Sequence, residues 1–464
     1  MLKIFPVLLQ YFLSGHRYGR VSACFVFAVL VFSAGYAQQT IDLIRNNRSD
    51  YSIILSEEPT KEERRAADIL QEHILKATKV KLPIVTESQE TKHGIYLGNT
   101  ERYTVSEYVR DEGCILKTDG DDIIISGRNG AGVIYGVTTF LERYAGCYKP
   151  DVGAVETREQ RNISIPADLN VTSEPSFLYR EAHYPYSEDD NYMQWHALNR
   201  LEDMWGVWGH SFERLMPADT HFGKHPEYFA LVNGKRQPSQ LCLSNEKVFD
   251  LIVKELKARM AKHRDAMYWS IAPNDNTGYC RCDRCKKVDI EEDSPSGSLI
   301  RFMNRVAGVF PDKRFTTLAY TYTIKPPRKA KPVSNVYIFL SNIEVYRDLP
   351  LATEPSAATF LQHLKQWAAV TDNIFIWDYA TQFTNYLAPF PNLHTLQDNF
   401  RLYKDHHVKG VFVQGSGSTY SDFAELRSHV YAKLLWNVNT DVEREVAAFI
   451  SRYYGPRLRR CQSI

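Results

Sequence analysis

Three short apolar runs in this 464-residue chain close on a carboxylate: Ile271-Ala272-Pro273-Asn274-Asp275, Leu340-Ser341-Asn342-Ile343-Glu344 and Ile376-Trp377-Asp378-Tyr379. A fourth reactive cluster, Cys280-Arg281-Cys282-Asp283-Arg284-Cys285, closely follows the first. An apolar run that ends in polar residues reads as a parallel strand feeding an open loop. In barrels of parallel strands those loops form one face, where reactive groups collect. Three carboxylates from three strand ends can therefore converge on one pocket. Cleavage of a glycosidic bond calls for two carboxyl groups, one protonated and one ionised, on either side of the bond. Asp275, Glu344 and Asp378 form the candidate catalytic set, the first two ahead of the third. A carboxylate after a strand also caps helices or holds neighbours, and that reading stands beside the catalytic one.

The same strand ends carry groups suited to a neutral polyol. His183 and His210 close the first two runs, Asn274 and Asn342 precede two of the acids, and Trp377 and Tyr379 flank the third. These six are the candidate substrate-binding residues. Trp205, Trp208, Trp269, Tyr320 and Tyr322 lie on the same runs. Aromatic faces stack on the C–H side of sugar rings, and packing in a core is the alternative. The C-x-C-x-x-C motif offers three soft ligands within one turn, and Cys242 at the end of another run offers a fourth. Four thiolates suit structural zinc, and a disulfide is the other reading. Either would pin the loop beside Asp275. Catalysis itself is expected to need no cofactor.

The elements that must position these groups alternate strand and helix. Apolar runs at 177–183, 205–210, 241–244, 267–275, 316–322, 336–344, 374–379 and 410–414 are interleaved with helical patterns at 246–263, 298–309, 357–370 and 393–404. That alternation predicts a parallel sheet, and eight runs predict a (β/α)8 TIM-type barrel over 176–450. Ahead of it, 40–165 reads as a small α/β domain. Thr60 and Glu63 there form a capping box for a helix over 60–78. A proline-containing stretch at 152–175 reads as a linker. The fold class is α/β.

Net charge is +1, so no global field draws the chain to nucleic acid or to an anionic membrane. Arg17 and Arg20, the apolar run 21–32 and the small residues before Gln38 read as a signal peptide over 1–37. The expected location is periplasmic or secreted, with no membrane span in the mature chain. Residues 451–464 read as a shortened, basic tail. No Walker A, HExxH, GxSxG or GxGxxG pattern occurs.

His225-Pro226-Glu227-Tyr228-Phe229, Asn233-Gly234-Lys235-Arg236, Gln240-Leu241-Cys242-Leu243, the Asn274-Asp275 and Cys280–Cys285 stretch, Trp377-Asp378-Tyr379 and Glu425-Leu426-Arg427 together resemble glycoside hydrolase family 163 over roughly residues 176–455. That resemblance implies endo-β-N-acetylglucosaminidase activity on N-acetylglucosamine-containing glycans. Ala66-Ala67-Asp68-Ile69-Leu70-Gln71, Ile95-Tyr96-Leu97-Gly98 and Leu141–Cys147 resemble the accessory domain that precedes the barrel in α-glucuronidases and β-hexosaminidases. Two other readings remain open: a glycan-binding protein without activity, and an exo-acting, α-glucuronidase-like hydrolase. The first turns on whether Asp275 and Glu344 face one cleft, the second on whether the site is a closed basic pocket or an open groove.

Overall fold

The computed structural model describes residues 39–105 and 107–455. The predicted signal segment and the end of the basic tail lie outside the described residues, as do Cys24 and Cys461. No helix among the described residues is long and apolar enough to cross a membrane.

The amino-terminal part comprises β1 (Thr40–Ile44), β2 (Tyr51–Leu55), α1 (Lys61–Thr78), β3 (Ile84–Thr86), β4 (His93–Leu97), β5 (Cys114–Asp119), β6 (Asp122–Gly127), α2 (Gly130–Tyr144), β7 (Cys147–Tyr148), β8 (Glu156–Thr157), β9 (Ile163–Pro166) and β10 (Asn170–Ser173). Six strands form a mixed sheet in the order β10-β5-β6-β4-β2-β3. α1 begins where the sequence predicts. The Thr60 hydroxyl accepts from the Glu63 N–H at 3.2 Å, and the Glu63 carboxylate accepts the Thr60 N–H at 2.9 Å. Two donors that a helix start leaves open are thereby satisfied. Ala66, Ala67, Leu70 and Ile74 are buried on its inner face.

The stretch predicted as a linker is instead structured. β9 pairs antiparallel with β1, and β10 with β5. Ile163 and Ile165 point inward while Ser164 faces solvent. Strands this short give too few turns of a two-residue period to stand out against flanking prolines.

The remainder comprises β11 (Tyr179–His183), β12 (Trp205–Val207), β13 (Phe229–Val232), β14 (Lys235–Leu241), α3 (Glu246–Lys262), β15 (Tyr268–Ser270), α4 (Asp283–Glu292), α5 (Ser296–Val309), β16 (Arg314–Ala319), β17 (Val336–Ser341), α6 (Ala358–Ala368), β18 (Ile374–Tyr379), α7 (Leu396–Asp405), β19 (Val408–Gln414), α8 (Ala424–Trp436) and α9 (Val442–Phe449), with short helical turns between them. Seven strands form one sheet in the order β11-β19-β18-β17-β16-β15-β12, every pair parallel.

The sequence predicts eight strands and a closed barrel, and the structure corrects both. Of the run expected as the third strand, only Leu241 lies in a strand: it ends β14, which pairs antiparallel with β13 outside the main sheet. Asn233 (φ 50°) and Gly234 (φ 77°) make the turn. Successive positive φ angles are what a tight hairpin requires, and Asn-Gly adopts them readily. β12 then pairs directly with β15. The sheet still curls far enough for its edges to meet through side chains, with the rings of Tyr179 and Trp205 4.7 Å apart. No ladder joins β11 to β12. The Asn199 side chain and backbone bond the Arg180 backbone along the free edge of β11.

Inside the curl, Tyr179, Trp205, Tyr268, Ala272, Leu318, Tyr337, Phe339, Phe375 and Phe412 form one buried cluster. The interior is therefore a packed core, and only the carboxyl ends of the strands open to solvent. Helices cover the outer face of the sheet over a larger, mainly aliphatic core. The two parts of the chain meet through partly buried ionic contacts: Arg180 with Glu112 at 2.9 Å, and Lys433 with Glu142 at 2.6 Å.

Candidate active site

At the carboxyl ends of the parallel strands lies a cavity of about 280 Å³, lined by residues from β16, β17, β18 and β19 and by the loops after β12 and β15. The alternation of a strand selects them. Leu318 and Tyr320, Phe339 and Ser341, and Trp377 and Tyr379 are each two residues apart, so each pair faces the same side of the sheet. Trp377 forms part of the lining. Its indole N–H donates to Gln414 Oε1 at 2.6 Å, and its ring stacks on Trp208 with centroids 5.4 Å apart. Trp377 thus offers the cavity an apolar surface, beside the polar groups of His210, Asp275, Ser341 and Gln414.

Asp275 enters this cavity with its side chain 67% exposed, and His210 Nε2 stands 4.0 Å from its Oδ1. His210 Nδ1 lies 2.5 Å from the Pro273 carbonyl, to which only an N–H can donate. That bond places the proton on Nδ1 in the neutral ring and turns Nε2 toward Asp275. The Tyr320 phenol faces Asp275. Burial, then the Asp275 charge, pushes its pKa up, with a further contribution from Glu344. Tyr379 is pushed up to about 12, chiefly by burial. Both phenols therefore stay protonated and can donate to a sugar hydroxyl or a developing negative charge.

The loop carrying Asp275 is anchored in the β13–β14 hairpin. Gln240 accepts the Asn274 N–H at 2.9 Å and donates to the Asn274 and Asn276 carbonyls at 2.7 and 3.1 Å. The Asn274 amide donates to the Ser239 carbonyl at 3.0 Å and accepts from the Glu213 N–H at 3.0 Å. Asn274, a candidate for substrate contact, is committed to this scaffold instead. Its task is to shape the loop.

The three carboxylates do not converge. Asp378 is buried, on the opposite face of β18 from Trp377 and Tyr379, and points into the layer between sheet and helices. Asn342 donates to it at 2.5 Å and to the Tyr403 hydroxyl at 3.0 Å. Burial raises the Asp378 pKa, against the Arg347 charge and the Asn342 bond. Asp378 and Asn342 thus hold β17, β18 and α7 together behind the site, and neither reaches substrate. The reason is parity: on one strand, Trp377 and Tyr379 can face the cavity only if Asp378 does not. Glu344 is exposed on the loop after β17 and is absent from the cavity lining. His183 lies at the rim of β11, 34% exposed, with Nδ1 3.4 Å from the buried Glu181 carboxylate.

A second cavity of about 540 Å³ shares Ile343 and Tyr379 with the first and runs along the loops after β17 and β18. Tyr346 (72% exposed) and Phe383 (42% exposed) stand on it, and the Arg347 guanidinium lies 5.6 Å from the Tyr379 ring. The site is accordingly a groove. Ser341, Gln414, Tyr346, Arg347 and Phe383 were not singled out from sequence. Ser341 and Gln414 are legible in hindsight from strand parity, whereas the loop residues carry no local signal. Of the predicted aromatics, Trp205 belongs to the interior of the curl, Trp269 is fully buried against Gly206, and Tyr322 is half-buried, stacked on Tyr279.

Cys242, Cys280, Cys282 and Cys285 come together beside the Asp275 loop, all buried, with their sulfurs within 4.8 Å of one another. None is in a disulfide. The Cys242–Cys282 sulfur separation is 3.7 Å. Sulfurs about 2.3 Å from a central zinc sit about 3.8 Å apart along a tetrahedral edge, whereas a disulfide requires about 2.05 Å. The donor set fits a tetrahedral thiolate site.

Comparison with known proteins bears on the whole chain. Residues 45–145 match glycosyl hydrolase family 20, domain 2. No curated protein matches the sequence. Among solved structures, the chain is similar to the chitobiase of Flavobacterium johnsoniae, with TM-score 0.52 and 10% identity over 89% of this chain and 71% of that one. A β-hexosaminidase of Streptomyces plicatus gives TM-score 0.50 and 14% identity over 89% and 92%. A family GH115 4-O-methyl-α-glucuronidase gives TM-score 0.50 and 11% identity over 89% of this chain, which spans 59% of the length of that enzyme. At these identities the likeness is one of fold. Residues 153–459 match the family described as domain of unknown function DUF4838, and the chain belongs to that family.

Proposed function

We propose that this protein is a glycoside hydrolase acting on N-acetylglucosamine-containing glycans, with the endo-β-N-acetylglucosaminidase action that the resemblance to glycoside hydrolase family 163 implies. One observation carries the reading. Asp275 stands in a cavity bounded by Trp377, with His210 and Tyr320 directed at its carboxylate and the Tyr379 phenol close by. A matching family 20 domain ahead of the sheet and a hexosaminidase-like fold support it.

Among the described residues Asp275 alone of the carboxylates lines the cavity, and we take the route in which the substrate's own acetamido group replaces an enzyme nucleophile. In that route the 2-acetamido oxygen attacks the anomeric carbon, and an enzyme carboxylate orients the acetamido N–H and offsets the positive charge that develops. Asp275, held by its loop and its two neighbours, takes that part. Leaving-group protonation falls to Glu344, whose exposed loop borders the groove. Trp377 supplies a stacking face, and Tyr379 a donor. The groove continues past Tyr379 to Tyr346 and Phe383, an open shape that suits cleavage within a chain more than capture of a terminal uronate. The proposed setting is extracytoplasmic, on the strength of the charged and apolar pattern before Gln38.

The second reading is a glycan-binding protein without activity. The exposed position of Glu344, outside the cavity lining, favours it. Incubating purified protein with complex N-glycopeptides and identifying products by mass separates the two. Release of a glycan that leaves one N-acetylglucosamine on the peptide is expected. Glycan retention without any cleavage establishes the binding protein, and release of a terminal uronate establishes the exo-acting alternative.

A further inference from the structure

We infer that Cys242, Cys280, Cys282 and Cys285 bind one zinc ion as four thiolates, and that this ion clamps the loop carrying Asp275 onto the β13–β14 hairpin. The inference rests on the cysteine geometry and stands whether or not the protein proves to be a glycosidase.

The four sulfurs come from two separate stretches of chain, the end of β14 and residues 280–285, which also pack around Ala230, Leu231 and Val232. Cys242 directly follows β14, Cys280 ends the Asp275 loop, and Cys282 and Cys285 lie at the cap and in the first turn of α4. All four are buried and mutually close, an arrangement that four uncharged thiols have no need to adopt. Their spacing suits tetrahedral coordination and is far too long for a disulfide.

The surroundings suit a zinc–tetrathiolate centre, whose net charge is −2. The Leu231 N–H donates to Cys280 Sγ at 3.4 Å, and the Arg236 guanidinium lies 3.9 Å from the same sulfur. The Ser244 hydroxyl is 3.2 to 3.6 Å from three of the sulfurs. Donors and positive charge around ligating groups tune and orient them. None of the four cysteines lines the cavity at Asp275, and four protein ligands leave no position for water or substrate. A closed site of this kind is structural.

The mechanical consequence follows from chain order. One side of the Asp275 loop is held by Gln240 and Ser239 of β14, and its far end leads into Cys280. With a metal joining Cys242 to Cys280, both ends of the contact between hairpin and loop are fixed. Without it, the hydrogen bonds to the hairpin and the packing of Ala230, Leu231 and Val232 remain.

Metal analysis of the purified full chain, exchanged through metal-free buffer, tests the first part. Close to one zinc per chain is expected. A mercurial reagent should release it, with four thiols becoming titratable. Cobalt substitution should give thiolate-to-cobalt charge-transfer absorption with tetrahedral d–d bands. The Cys280→Ser and Cys285→Ser variants should lose the metal, and Cys114→Ser should keep it. A zinc-free protein that takes up no cobalt, or a disulfide between any two of the four in a non-reducing peptide map, overturns the site. Hydrogen exchange before and after zinc release tests the clamp on the wild-type chain, so that folding of a variant is not at issue. Protection across 274–281 should fall at least tenfold, while the segment 51–78 keeps its own. Unchanged protection at 274–281 overturns the clamp.

Discussion

The two sides of the groove are built in opposite ways. On the β15 side, Asp275 projects from a loop into open space, and nearly every neighbouring polar group is spent on holding that loop: Gln240, Ser239, Asn274 and the cysteine cluster beyond. On the β17–β18 side, the acid at the corresponding strand end, Asp378, is turned away from the groove and spent on packing, while Glu344 projects into solvent from a loop that Arg347 and the buried Val345 hold. Position at the end of a parallel strand therefore does not define a catalytic carboxylate. The face of the strand, and what holds the loop beyond it, decide whether the group meets substrate or supports the wall behind.

The largest effect expected from this contrast is on turnover. Asp275→Asn should fold normally and lose about 10²-fold or more in kcat, the scale on which a group acting at the reacting centre contributes. Glu344→Gln should show a comparable loss if its loop swings over bound substrate. Steady-state rates on a glycopeptide measure both, and full activity in Asp275→Asn breaks the contrast at its root. Asp378→Ala should do the reverse. It strands the buried Asn342 amide, at a cost of about 1–3 kcal/mol. Urea unfolding should show that loss, while kcat per folded molecule changes little.

The pH dependence of stability sharpens the same point. The folded pKa of Asp378 is raised, with burial as the main cause. Its contribution to stability is complete below the unfolded carboxyl value of about 3.9 and is lost as pH rises through the folded value. Relative to Asp378→Asn, the wild type should lose stability across that window by at most about 1.4 kcal/mol per pH unit. Parallel unfolding curves for the two proteins would deny Asp378 its buried role. The smallest effect lies far from both sides. Thr60→Ala removes the capping box of α1 and should cost about 1 kcal/mol with no change in activity. A fall in kcat there would mean that the amino-terminal domain communicates with the groove.

Much was legible without coordinates. Thr60, Glu63 and the buried stripe of α1 are local signals, fixed by capping chemistry and a helical period within eighteen residues. The strands at 316–319, 336–341, 374–379 and 410–414 are dense apolar runs, because a parallel sheet covered on both faces leaves no solvent side. The gathering of Cys242 with Cys280, Cys282 and Cys285 followed from motif spacing and a shared neighbourhood in the predicted sheet.

Three things were settled only by the tertiary structure. The run at 241–244 looks apolar enough for a core strand, but the Asn233-Gly234 turn folds it back onto β13, and pairing partners are not written into a strand's own residues. The strands over 152–175 exist because β1 and β5 offer them open edges. Asp378 and Asp275 look alike in sequence, each closing an apolar run. One residue of register separates the side of β18 that meets the groove from the side that meets α7, and the curl of the whole sheet decides which is which. Sequence thus determined the elements, whose signals are local. The fold decided which carboxylate faces the groove, because facing is a property of the whole sheet.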